Sequence, residues 1–195
     1  DDLWGILNRS STVRYPEEGG IADVEAKLPP VTEPRRSLIP CAPLMHGAAA
    51  FAAFTMLSGG GCVVHLEGSK FDPVEMLDTV EREGVTDIAI VGDVFAQPIL
   101  EQLDAHPGRW DLHTLVLAIS SGVMWSAPIK ERLCEHIPTL LCVDTLGSSE
   151  AVGVARSVSS KKKTAETAGF TLSDDSRVIS EDGRFIEPGS GEVGM

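Results

Sequence analysis

Positive charge is the first thing this sequence is short of. Sixteen Lys and Arg stand against 29 Asp and Glu, for a formal net charge of −13. Binding along a nucleic-acid backbone needs clustered cations, so the balance argues against that class of function. The one basic run, Lys161-Lys162-Lys163, is three residues long and reads as an exposed, solvated loop. Cysteine is sparse as well. Cys41, Cys62, Cys134 and Cys142 are scattered, with no C-x-x-C pair and no histidine at metal-ligand spacing. Three of them sit in apolar stretches, where a free thiol packs as a small hydrophobe. A reduced, cytoplasmic setting is the expectation. No secretory leader is recognised, and the longest apolar run, around AAAFAAFTML, falls short of the roughly 18 residues of a membrane span. It reads as a buried helix.

What is present is a core-forming pattern: 43% of the 195 residues are hydrophobic, enough for one sizeable core with a small appendage. Strand-like runs occur at SLIPCAP, CVVHL, TDIAIVG, TLVLAIS and TLLCVD. Helical patterns lie between them, at HGAAAFAAFTML, FDPVEMLDTVEREG, VFAQPILEQLDAH and SAPIKERLCEHI. In the second of these Asp72 suits the cap, Pro73 the first turn and Gly84 the stop. Strand starts recur about every 25 residues, the length of a strand and a crossover helix. The strands are continuously apolar, as when helices cover both faces. The fold class is therefore α/β, a mainly parallel sheet layered with helices, over residues 38–153. Residues 1–37 read as a helix with Leu3, Ile6 and Leu7 on one face, followed by a long Pro-, Gly- and charge-rich excursion. Residues 154–195 read as an antiparallel extension: ARSVSS, then SRVIS and RFIE joined at Glu181-Asp182-Gly183. The sequence stops in mid-motif, as an internal piece of a longer chain would.

Two kinds of glycine loop need separating. Ser58-Gly59-Gly60-Gly61 follows a helix and precedes a strand, the wrong order for cradling a phosphate, and reads as a plain turn. AISSGVMWSAPIKERL runs from strand to helix, and DTLGSSE ends the next strand. Parallel sheets bind ligands outside the carboxyl ends of their strands. Ser121, Gly122, Gly147 and Ser148 would supply amides and hydroxyls there, and Glu150 an oxygen ligand of the kind Mg²⁺ takes. Spacing alone leaves it open that Gly147 serves a turn and that Ser149-Glu150 cap a following helix.

PLMHG at 43–47, SSGVMW at 120–125 and DTLGSSE at 144–150, in that order, resemble the adenylate-forming (AMP-binding) family, especially its acyl-CoA synthetases. The likeness runs through to EDGRFIEPGSGEVGM. The family's Pro-Lys-Gly phosphate loop, ribose-binding aspartate and catalytic lysine have no counterpart in these residues, so the chain taken alone is expected to be inactive. The resemblance implies that His46 lies between acyl pocket and adenylate. It puts Ser121, Gly122, Val123 and Met124 along the adenine, with Ser121 in the place of a glycine and Met124 of a proline. Asp144 and Thr145 would lie beside the adenine edge. Leu146, Gly147 and Ser148 continue the motif, Leu146 replacing an aromatic. Ser149 would meet the α-phosphate and Glu150 the magnesium.

The implied reaction joins a carboxylic acid, fatty or otherwise lipophilic, to ATP as an acyl-adenylate and transfers it to coenzyme A. A non-catalytic nucleotide-binding module, and an aryl- or amino-acid activator that loads a carrier protein, stay open beside it. So does a homo-oligomeric state. The helix from Gly47 to Phe51 suits tight packing and an acyl channel alike. Trp125 suits the core better than ligand stacking.

Overall fold

A computed structural model describes residues 35–148, 153–174, 176–187 and 190. The expected helix at Leu3–Leu7, most of the excursion after it, and Ser149 and Glu150 lie outside the described residues.

Five strands, β1 (Ser37–Pro40), β2 (Cys62–Val63), β3 (Asp87–Ile90), β4 (Leu117–Ser121) and β5 (Leu141–Leu146), alternate with four helices. The helices are α1 (Gly47–Ser58), α2 (Pro73–Glu83), α3 (Gly92–Ala105) and α4 (Ala127–His136). β6 (Ala155–Ser159) and β7 (Thr171–Leu172) follow, giving a seven-stranded sheet of order β2-β1-β3-β4-β5-β6-β7. The first five strands are parallel, and β6 and β7 add antiparallel to β5. This bears out the expected α/β class. α2 starts as its sequence suggests: the Asp72 carboxylate accepts from the amides of Val74 (2.8 Å) and Glu75 (3.4 Å).

Two elements are shorter than the pattern suggested. CVVHL pairs as strand only over Cys62–Val63, because β2 is the outermost strand and has one neighbour. SRVIS and RFIE make one antiparallel bridge, Ile179 to Phe185, around the Glu181-Asp182-Gly183 turn. Phe185 is 72% exposed, so no second layer rewards longer pairing there.

α2, α3 and α4 lie side by side on one face of the sheet. Met76, Leu77, Val80, Ile99, Leu100 and Leu133 pack there on Ile39, Ile88, Ile90 and Cys142. On the other face, among the described residues, α1 covers β1 and its neighbours through Ala49 and Ala53. No other described helix covers the rest of that face, where Leu141 and Val158 are about half exposed. The strand order reverses at β1, where α1 leaves to one side and the chain returns to β3 on the other. In such sheets the crevice for a ligand opens at the carboxyl ends beside that switch point. No described helix is long and apolar enough to cross a membrane.

Candidate functional site

β4 and β5 run parallel in a register that sets Ser120 against Asp144 and Ser121 against Thr145. The two loops singled out in the sequence therefore leave the sheet side by side, on one rim. The Thr145 hydroxyl donates to the Ser120 carbonyl at 2.8 Å and ties the strand ends together. His46 stands at the same rim. Its Nδ1 caps α1 by accepting from the Ala48 amide at 3.2 Å. The rest of the ring lies against Gly122, where a side-chain Cβ would come within 3.4 Å of the imidazole Cε1. Gly122 also has φ +96°, a conformation that only glycine adopts without strain.

The loop after β4 is held from behind. Gly92, with φ +53°, approaches so closely that a Cβ would sit 2.5 Å from the Met124 carbonyl oxygen and 2.7 Å from that of Val123. The Gly92 amide donates to the Ser120 hydroxyl at 2.9 Å, and the Asp93 amide to the Met124 carbonyl at 3.1 Å. These bonds fix the loop's main chain and leave the Val123 and Met124 side chains exposed. The N-terminus of α4, open in principle to an anion, is already capped. Asp93 accepts from the Ser126 amide (2.9 Å) and Thr167 from the Ala127 amide (2.8 Å).

A cavity of about 810 Å³ begins at this rim and continues as a trough between α1 and the open sheet face. His46, Ser121, Gly122, Thr145, Gly147 and Ser148 line its mouth. Leu38, Phe51, Ala52, Met56, Ile119 and Val143 line its middle. In α1, Ala49 and Ala53 pack tightly on the sheet, while Ala48, Phe51 and Ala52 face the trough.

Four of the expected contact residues do not line the cavity. Val123 and Met124 turn outward, and Leu146 is half exposed at the strand end. Asp144 alternates to the helical face of the sheet with Ser120 and is 4% exposed. Burial pushes its carboxyl up to about 6, against a pull downward from the Lys130 ammonium and a push upward from Asp93. Lys130 is itself buried, with its ammonium 5.9 Å from the Trp125 ring centroid and no hydrogen-bond acceptor among the described residues. Trp125 is wholly buried, which settles its role as core.

Among the described residues, no three His, Cys, Asp or Glu side chains converge as a metal site would require. The expected magnesium carboxylate, Glu150, lies outside them. Sequence reasoning missed the far end of the trough, where Arg36 pairs with Asp87. The available signals were a basic pair, Arg35-Arg36, just ahead of the first strand, and an acid heading the otherwise apolar DIAI.

The chain is 35% identical to a 3-oxocholest-4-en-26-oate–CoA ligase of Rhodococcus rhodochrous, aligned over 100% of this chain and 36% of that protein. It is 30% identical to a medium/long-chain-fatty-acid–CoA/3-oxocholest-4-en-26-oate–CoA ligase of Mycolicibacterium smegmatis, over 99% of this chain and 34% of that one. The chain therefore spans about a third of the length of these curated relatives. Among solved structures, a long-chain-fatty-acid–CoA ligase from Archaeoglobus fulgidus superposes with a TM-score of 0.61 at 18% identity, over 79% of this chain and 32% of that one. An amide bond synthetase from Marinactinospora thermotolerans gives 0.62 at 22% identity, over 86% and 33%. At such identities the likeness speaks for the fold alone. The family described as AMP-binding enzyme matches from residue 20 to residue 194, across both strand ends of the rim and the α/β layers behind them, and the chain belongs to it.

Proposed function

We propose that the protein is an AMP-forming acid–thiol ligase that activates a lipophilic carboxylic acid as its acyl-adenylate and transfers the acyl group to coenzyme A. One observation carries this reading. The glycine-bearing rim opens without a break into an apolar trough, with His46 at the junction. A carboxylate at that junction has an adenine-sized platform on one side and room for a hydrocarbon body on the other. The relatives named for medium- and long-chain or sterol-derived acids fit such a trough.

The chemistry needs that arrangement. A carboxylate is a poor electrophile, and joining it to AMP supplies a good leaving group. Attack of a carboxylate oxygen on the α-phosphorus forms the acyl–O–P bond and expels pyrophosphate. Attack of the coenzyme A thiol on the acyl carbon then forms the thioester, expels AMP and gives up the thiol proton. In this reading the Ser121–Gly122 main chain lies along the adenine and Thr145, Gly147 and Ser148 border the nucleotide. Ser149 meets the α-phosphate. Positioning and neutralisation of phosphate charge supply the catalysis. Mg²⁺ is the cation we assign to Glu150, and the cytoplasm is the compartment that the sparse, scattered cysteines suit. Asp144, turned to the helical face, is left out of the nucleotide contacts.

Acid-dependent exchange of labelled pyrophosphate into ATP by the full-length protein tests the reading. Exchange should fall by at least about a hundredfold in S149A and E150A, the scale seen when a transition-state charge contact is removed. Thioester formation that releases ADP and phosphate instead of AMP and pyrophosphate would overturn it.

A further inference from the structure

The trough does not end in apolar side chains. At its far end the Arg36 guanidinium reaches Asp87, donating from Nε to Oδ2 at 3.1 Å and from a terminal nitrogen to Oδ1. Asp87 is 1% exposed and is also paired with the Thr86 hydroxyl, so its oxygens are well occupied. Of the five guanidinium N–H donors, two go to Asp87, and Arg36 lines the cavity with the others to offer. The Gly59–Gly61 turn borders this end, where the Arg36 side chain is 54% exposed and its partner is buried: a Cβ on Gly61 would strike the Met56 sulfur and come within 2.8 Å of the Arg36 carbonyl oxygen.

The register gives the length. Ser121 lies four residues beyond Leu117, which pairs with Asp87, and Arg36 lies two residues before Leu38, which pairs with Asp87 as well. Six steps separate mouth from end, about 20 Å at the rise of a parallel strand. An acid long enough to fill the trough would press its remote end on an ion pair. A terminal methyl group there strips water from the charges and returns nothing. A second carboxylate would meet the Asp87 charge as well as Arg36. A neutral oxygen can accept from the guanidinium without either penalty.

Resting on the ligase reading above, we propose that the site selects an acid that is apolar along its length and carries a neutral hydrogen-bond-accepting oxygen, a hydroxyl or a ketone, at the end remote from the carboxyl. Arg36, held by Asp87, is the residue that reads it.

The test is acid-dependent pyrophosphate exchange by the full-length protein with hexadecanoic, ω-hydroxyhexadecanoic and hexadecanedioic acids. The ω-hydroxy acid should show a KM about tenfold below that of hexadecanoic acid, the worth of one hydrogen bond to a partly solvated charge. The diacid should not share the advantage. In R36M/D87N, which leaves no unpaired buried carboxylate, the KM ratio of the first two acids should fall to near one. A purely structural role would move both KM values alike and keep the ratio. Should the double variant not fold, R36M/D87L, which replaces both charged partners by apolar side chains and leaves no donor at this end, must show the same collapse. A wild-type ratio of one, or a ratio that survives the variant, overturns the inference and leaves the ligase reading standing. Absence of exchange with every acid overturns the ligase reading and the inference together.

Discussion

Asp144 gives the sharpest test of the buried layer beneath the rim. Its carboxyl is 4% exposed, and burial raises it from the ordinary 3.8 to about 6. Because the folded value lies above the unfolded one, the folded state holds this proton more tightly. The resulting stability is fully present below about pH 4 and is lost as pH rises through about 6. A rise of about two units corresponds to about 3 kcal/mol at 1.36 kcal/mol per unit, and screening at the strand end reduces this to the order of 2 kcal/mol. D144N has no such proton. Urea unfolding of wild type and D144N at intervals from about pH 4 to pH 7 isolates the contribution, since the other carboxylates cancel in the difference. Wild type should lose stability relative to D144N by that amount, with the midpoint of the loss at about pH 5, halfway between the unfolded and folded values. K130M removes a cation that holds the carboxyl down and should move the midpoint higher. A difference that stays flat, or grows in favour of wild type as pH rises, would refute the account of a buried carboxyl stabilised by its proton.

Three further outcomes are expected. G92A forces a Cβ onto the Met124 and Val123 carbonyls and a non-glycine residue into positive φ, so urea unfolding should show a loss of about 2 kcal/mol or more. Calorimetric AMP titration of the same variant should show weaker binding as the loop shifts. H46A should lose about 1 kcal/mol with the α1 cap, whereas H46N should recover that stability but not the rate of pyrophosphate exchange. Equal exchange by H46N and wild type would show that the imidazole serves only as a cap. Cys62 is exposed while Cys41, Cys134 and Cys142 are buried, and burial pushes the Cys41 thiol well up. Iodoacetamide should therefore modify one cysteine per native chain and four after unfolding, counted by mass spectrometry.

Much of the fold was legible along the chain because its signals are local. Asp72, Pro73 and Gly84 mark α2 through the hydrogen-bonding needs of helix ends, which neighbouring residues meet. The alternation of apolar runs with amphipathic segments fixes a parallel α/β layering, since parallel strands need crossovers of that length. The motifs at His46, Ser121–Gly122 and Thr145–Ser148 were legible for the same reason: each is a short stretch whose residue types answer one local demand. What the linear text could not decide was facing. In a strand apolar on both sides, period-two alternation separates two faces without saying which is covered, so Asp144 was expected at the cavity, whereas its neighbour Thr145 is the one that lines it. Nor could it pair Arg36 with Asp87, 51 residues away, because that contact exists only once β1 and β3 are registered as neighbours. The order of elements, the helix limits and the motifs of the rim were written in the sequence by local hydrogen bonding and periodicity. Which side chains share the trough, and what stands at its far end, was decided by strand register, a long-range property that no single segment carries.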